Sequence, residues 1–231
     1  ASVPEERKQH LARIISESYL VLGDAAKAKE YYDKTGVGSG KSRTDYFYAG
    51  SLLYALEDYK GAIENYGMMT DRADSLGQIA NYQMAYSYIK TKNKVAAMQS
   101  FKDASRLNYN ADMQEDAYFN YAKLAFDLNH DPSVFDSYIK KYPELAKGDR
   151  IYSYIALAAL DNRDDAGAVE AYDKIDELDN NMKSNYMKAN YLRADQLIAD
   201  GSYRKAVPCL KAAAYYSDKH SPFNQLSRYW L

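Results

Sequence analysis

The chain has 231 residues, 47% of them hydrophobic and 27% charged, which is ordinary for a soluble protein and long enough to bury a real core. Its 30 basic and 32 acidic residues are spread along its length for a net charge of -2, so no field of one sign exists to recruit nucleic acid or an anionic membrane. The richest apolar run, IYSYIALAAL at 151 to 160, is about half as long as a membrane span and reads as a buried helix.

In chain order, apolar residues three and four apart predict helices in pairs, and no alternating strand pattern intervenes. The pairs fall at 5–22 with 24–35, 43–56 with 59–71, 75–91 with 93–107, 112–128 with 132–142, 148–161 with 165–177, and 182–200 with 203–217. Ser221 and Pro222 then open a partial unit at 221–231. The opening ASVPEERKQH lacks the basic stretch and apolar core of an export signal. A start without methionine and an end at SRYWL, inside a helical pattern, make the chain read as a piece of something longer. The one glycine-rich connection, TGVGSGKSRT at 35 to 44, reads as a flexible linker within a single continuous domain over 1–231.

A shared small residue sets the phase. GDAAKAKEYY, EDYKGAIENY, NKVAAMQSF, DAGAVEAY and SYRKAVPCL place Ala28, Ala62, Ala97, Ala168 and Ala206 at separations of 34, 35, 71 and 38. The 71 is nearly two periods, so a degenerate unit is expected near residue 132, with Asp131 as a cap and Pro132 in the first turn of its second helix. A period of this size marks a solenoid, whose units bury their apolar faces on one another. Ala62 is expected to face Gly50 where the second helix of its pair crosses the first, with Tyr66 filling a wider gap one turn later. The 25 tyrosines suit a wall only one or two helices thick, where rings are half buried and hydroxyls find partners.

These positions resemble the tetratricopeptide repeat (TPR). The small, large, small and aromatic positions are Ser16, Tyr19, Ala28 and Tyr32 in the first unit, then Gly50, Leu53, Ala62 and Tyr66, then Ala85, Tyr88, Ala97 and Phe101. The fifth unit offers Ala156, Ala159, Ala168 and Tyr172, and the sixth Ala194, Leu197, Ala206 and Leu210. The fourth unit lacks the second-helix alanine, Pro208 falls inside a second helix, where it should bend it unless that is the first turn, and the last spacing exceeds the family's. The resemblance implies an all-α fold, a right-handed α-solenoid of about six TPR-like helix pairs plus a truncated final helix.

Residues suited to chemistry are sparse. His10, His130 and His220 lie in separate units without ligand spacing. GVGSGKS at 36 to 42 ends like a phosphate loop, but a helix precedes it and Thr35 stands where the first glycine belongs. The acidic runs at 161–167 and 176–181 lack calcium-loop spacing and read as solvated turns with helix caps. Cys209, the only cysteine, excludes an internal disulfide and reads as a small core residue. No cofactor and no catalytic site is expected.

The resemblance does assign a partner-binding groove, lined by positions two, five, nine, twelve and thirteen of each first helix. Position five reads Arg13, Phe47, Tyr82, Phe119, Ser153 and Tyr191, and position nine Glu17, Ser51, Tyr86, Lys123, Leu157 and Asp195. Tyr54 and Phe126 stand at position twelve and Lys90 at thirteen. Aromatic anchors there favour a protein or peptide partner, with Arg13, Glu17, Lys90, Lys123 and Asp195 setting register and choice. Some family members grip a C-terminal carboxylate with lysine and asparagine at positions five and nine, and that clamp is not expected here. Glycan stacking on tyrosine, or service as the helical arm of an enzyme whose catalytic part lies elsewhere, are the alternatives. FDSYIKKYP at 135 to 143 resembles the tyrosine-proline ending of bacterial cell-envelope repeat proteins, which suggests the periplasmic side of an envelope, with a cytoplasmic scaffold as the other option.

Overall fold

The computed structural model describes residues 4–36, 41–129, 133–146 and 149–231. His130, the Asp131 cap, Pro132 and the centre of the glycine-rich linker lie outside them. The helices are α1 (Glu5–Val21), α2 (Ala25–Tyr32), α3 (Arg43–Ala55), α4 (Tyr59–Gly67), α5 (Ser75–Lys90), α6 (Lys94–Ser105) and α7 (Ala111–Asn129). They continue as α8 (Ser133–Lys141), α9 (Pro143–Ala146), α10 (Asp149–Asp161), α11 (Asp165–Tyr172), α12 (Asn180–Ala199), α13 (Tyr203–Tyr216) and α14 (Pro222–Trp230). The described residues form helices and turns and no strand. The chain is all-α, as its periodicity requires. Contacts group it into an N-terminal half, Ala1–Leu124, and a C-terminal half, Ala125–Leu231, with the division inside α7.

Within each half, consecutive helices close into hairpins (α1 with α2, α3 with α4, α5 with α6; α10 with α11, α12 with α13). One turn makes all five. The residue ahead of the second helix's N-cap has positive φ: Gly23 at 81°, Glu57 at 61°, Lys92 at 64°, Arg163 at 59° and Gly201 at 73°. Around it the backbone closes a Schellman pair. The amide of Asp24 bonds Tyr19 O (2.9 Å) and that of Gly23 bonds Leu20 O (3.1 Å), and Asn93 to Tyr88 (2.8 Å) with Lys92 to Ile89 (3.0 Å) repeats it. Asp24, Asp58, Asn93 and Asp164 then accept an amide of the next helix, so one short segment ends one helix and starts its partner.

The second helices are shorter than their apolar pattern, which ran to residues 35, 71 and 177. The physical reason is a tightened last turn: Thr35 N bonds Tyr32 O (3.0 Å), Met69 N bonds Tyr66 O (3.1 Å) and Ile175 N bonds Tyr172 O (3.1 Å). Each time the residue seven past the small anchor is drawn inward, and Thr35, Met69 and Ile175 are buried. The short α9 was not anticipated. Pro208 lies inside α13, beyond its first turn, and offers no amide to the exposed Arg204 carbonyl one turn before it.

All five anchors, Ala28, Ala62, Ala97, Ala168 and Ala206, are buried to within 1%. In the N-terminal half the core continues through Tyr66, Met69, Ala80 and Met84 to Ala85, Phe101, Ala104, Ala117 and Leu124. In the C-terminal half Ala156, Ala171, Tyr172 and Ile175 form one cluster and Ala194, Leu197, Ala206 and Leu210 another. Phe135 is fully buried in α8, the second helix that lacks the alanine, and stacks on Tyr154 at 6.0 Å. The opening of the α3–α4 crossing differs from expectation in one respect. The residue that presses on Gly50 is Tyr66: a Cβ added at Gly50 would stand 2.6 Å from Tyr66 Cε1, so the glycine makes room for the ring.

Candidate functional site

In the N-terminal half the first helices of successive pairs touch, α1 against α3 and α3 against α5. Helical spacing puts Arg13 and Glu17 one turn apart on α1, and Thr44, Phe47 and Ser51 along one face of α3. These residues and Leu76 of α5 line a cleft of about 380 Å³. Leu20 and Val21 extend its apolar wall, and Val21 is 88% exposed.

Polar bonds fix the cleft's charged edge. Arg13 Nε donates to Glu17 Oε1 (3.0 Å) and Arg13 Nη1 to Asp45 Oδ1 (2.7 Å), tying α1 to α3. Asp45 also belongs to the capping box of α3, its Oδ2 accepting the Ser42 amide at 2.9 Å. The Ser42 hydroxyl that suggested a phosphate loop is therefore used to start a helix. Partial burial alone would raise the Asp45 carboxyl, but its bonds from Ser42 and the Arg13 guanidinium outweigh that and hold it below the usual carboxylate range. Hydrogen bonding to Glu17, with the nearby Asp45 charge, raises Arg13. At the base of the cleft Ser51 bonds the Tyr66 hydroxyl (3.0 Å), which also donates to Gln83, and Phe47 packs on the Tyr66 ring at 6.3 Å.

The next aromatic pair is built differently. Tyr82 and Tyr86 meet edge to face, with centroids 5.0 Å apart and planes at 71°, and both rings lean on Phe101. Their hydroxyls both donate to Asp116 Oδ2 of α7, at 2.8 and 2.9 Å, and Asn120 Nδ2 donates to the same oxygen at 2.9 Å. Burial first, then the Tyr86 and Asp116 contacts, push the Tyr82 phenol far up, and burial also raises Tyr86. Tyr54 packs edge-on against Tyr59, over which the exposed Lys90 ammonium sits at 5.9 Å. Phe119 is only 4% exposed, so its ring belongs to the interior, and Lys123 beside it on α7 is half-buried.

Five sequence-assigned residues fall in the C-terminal half, among them Ser153, half-buried on α10, and Leu157, exposed on the same helix. Phe126 is 8% exposed and packs on Phe135 at 5.8 Å, so it too is a core residue. Tyr191 is half-buried against Phe223 (5.2 Å, 71°), and Asp195 is exposed on α12. The structure thus gathers Arg13, Glu17, Phe47 and Ser51 in one cleft, ties Tyr82 and Tyr86 into a carboxylate network, and buries Phe119 and Phe126. Sequence reasoning missed Asp45, Leu76 and Asp116. Asp116 and Thr44 both stand at position two of a first helix, a groove position in the resemblance at which no residue was singled out, and the Ser42 to Asp45 spacing of a capping box was the available signal for Asp45. Among the described residues no group of histidine, cysteine and carboxylates could hold a metal ion.

Bonds between successive pairs recur at sequence separations of 31 to 34 residues. Arg13 reaches Asp45 and Ser16 meets Tyr48 at 32 residues, Arg43 reaches Asp74 at 31, Tyr82 reaches Asp116 at 34, and in the C-terminal half Gln196 reaches Asp165 at 31. Hairpins that repeat one turn and bond at one period are the physical content of a helical repeat. The chain resembles the tetratricopeptide-repeat family. No family model and no curated protein sequence matches this TPR-like chain. Among solved structures it is similar to a tetratricopeptide repeat protein from Parabacteroides merdae, at 16% identity over 96% of this chain and 84% of that one, with a TM-score of 0.46. It is also similar to the TPR2AB domain of yeast Sti1 in its pHSP90 complex, at 17% identity over 96% and 95% of the two chains, with a TM-score of 0.40.

Proposed function

We propose that the chain is a non-catalytic protein-interaction module, and that the cleft between α1, α3 and α5 receives a peptide segment of a partner protein. The supporting observation is that one cleft collects positions five and nine from two successive first helices, Arg13 with Glu17 and Phe47 with Ser51, and adds Leu76 from a third. Such a cleft is preformed by the repeat stacking, so a partner need order little of the receptor, and Phe47 and Leu76 supply the apolar contact. A sugar platform would need coplanar rings; Tyr82 and Tyr86 stand edge to face with their hydroxyls on Asp116, which favours the peptide reading.

The test is a pull-down comparing the chain with a Phe47→Ala, Leu76→Ser variant whose helical circular dichroism matches. The proposal expects at least one partner to be lost by the variant. Equal recovery of every partner by both proteins contradicts it.

A further inference from the structure

The charges around the cleft do not cancel. The guanidinium of Arg13, which lines the cleft with Glu17, also serves Asp45 beyond the lining, so the three groups together carry one net negative charge. Asp45 has both oxygens occupied, Oδ1 by Arg13 and Oδ2 by Ser42. Arg13 has Nε and Nη1 committed, so an incoming carboxylate would have to compete with bonds of 3.0 and 2.7 Å already made. Glu17 is the incomplete member. Its Oε1 accepts Arg13, no described residue bonds its Oε2, and the side chain is 43% exposed at the cleft edge. At about 380 Å³ the cleft is near the small end of the roughly 300–1,000 Å³ range of ligand sites, enough for one large side chain and its neighbour.

We propose that the cleft recognises a short linear peptide in which a bulky apolar side chain seats between Phe47 and Leu76 and an adjacent lysine or arginine pairs with Glu17. This deepens the proposed function and rests on it. The apolar residue supplies contact area, and the cation completes the Glu17 coordination and discriminates against acidic neighbours, which would meet the surplus negative charge.

The experiment pans a phage-displayed library of random linear peptides against the wild-type chain and against Glu17→Gln, Glu17→Lys and Phe47→Ala, each checked for unchanged helicity. Selected peptides are resynthesised and their affinities measured at two salt concentrations. The inference expects an apolar residue beside lysine or arginine among peptides that need Phe47, about fivefold weaker binding to Glu17→Gln and about tenfold or more to Glu17→Lys, and weaker wild-type binding at high salt. Peptides that need Phe47 but show no basic preference, or bind Glu17→Gln equally well, overturn the inference and leave the peptide-cleft reading standing. If no selected peptide depends on Phe47, both are overturned. The salt dependence on the wild-type chain decides the charge question even if a Glu17 variant were to lose its fold.

Discussion

Replacing Gly50 with alanine tests the packing of the site's floor, because two effects of opposite sign meet there. In a helix interior alanine is favoured over glycine by about 1 kcal/mol. The added methyl, however, would lie 2.6, 2.7 and 3.0 Å from three ring atoms of Tyr66. Carbon atoms settle at about 3.5–4.0 Å, so the ring must retreat by roughly 1 Å. Tyr66 is fully buried and its hydroxyl is held by Ser51 and Gln83, so retreat carries an overpacking cost of about 1–3 kcal/mol and weakens hydrogen bonds worth about 1 kcal/mol. The net expectation is destabilisation by about 1–2 kcal/mol. In a Tyr66→Leu background the obstacle is gone, and the same Gly50→Ala change should stabilise by up to about 1 kcal/mol. Urea denaturation followed by circular dichroism on the four proteins of this cycle reads both signs. Gly50→Ala raising stability equally in both backgrounds would refute the argument that the glycine exists to admit the ring.

The hairpin turn makes a second prediction: Lys92→Gly should raise the melting midpoint by relieving a left-handed backbone worth about 1 kcal/mol, while Gly201→Ala should lower the midpoint through a stability loss of about 1–2 kcal/mol, both read by thermal melting. Asp45 has its pKa lowered in the folded chain, so its contribution is present above the ordinary carboxylate value of about 3.9 and is lost as pH falls below it; Asp45→Asn should flatten stability against pH between about 4 and 2. Burial raises the phenols of Tyr66, Tyr82 and Tyr86, so the protonated folded form is favoured and stability should fall as pH rises above the ordinary tyrosine value of about 10. A spectrophotometric tyrosine titration should then show a late fraction that ionises only with unfolding, and a single ordinary transition for all rings would contradict it.

The architecture was legible because it is written in small residues. Ala28, Ala62, Ala97, Ala168 and Ala206 fixed the period and each is buried, and the observed helices start within about two residues of the expected positions. The same arithmetic contained the hairpin turn, since Gly23, Glu57, Lys92, Arg163 and Gly201 share the anchors' separations. It went unread because three of the five are not glycine, so composition hid the conformation. The site was less legible because position within a helix fixes which face a side chain shares, not how deep it goes. Phe47 and Phe119 both occupy position five, yet Phe47 lines the cleft while Phe119 is buried. Tyr82 and Tyr86 are turned from free anchors into hydrogen-bond donors by Asp116, a residue 34 positions from Tyr82 that no local pattern marks as their partner.

The most direct test of the peptide-cleft account is nuclear magnetic resonance mapping with a peptide selected by panning, titrated into the isotopically labelled chain. The account predicts perturbations concentrated on Arg13, Glu17, Phe47, Ser51 and Leu76, with the α12 to α14 signals unmoved. Saturable binding whose perturbations fall elsewhere, leaving those five residues unshifted, would contradict it.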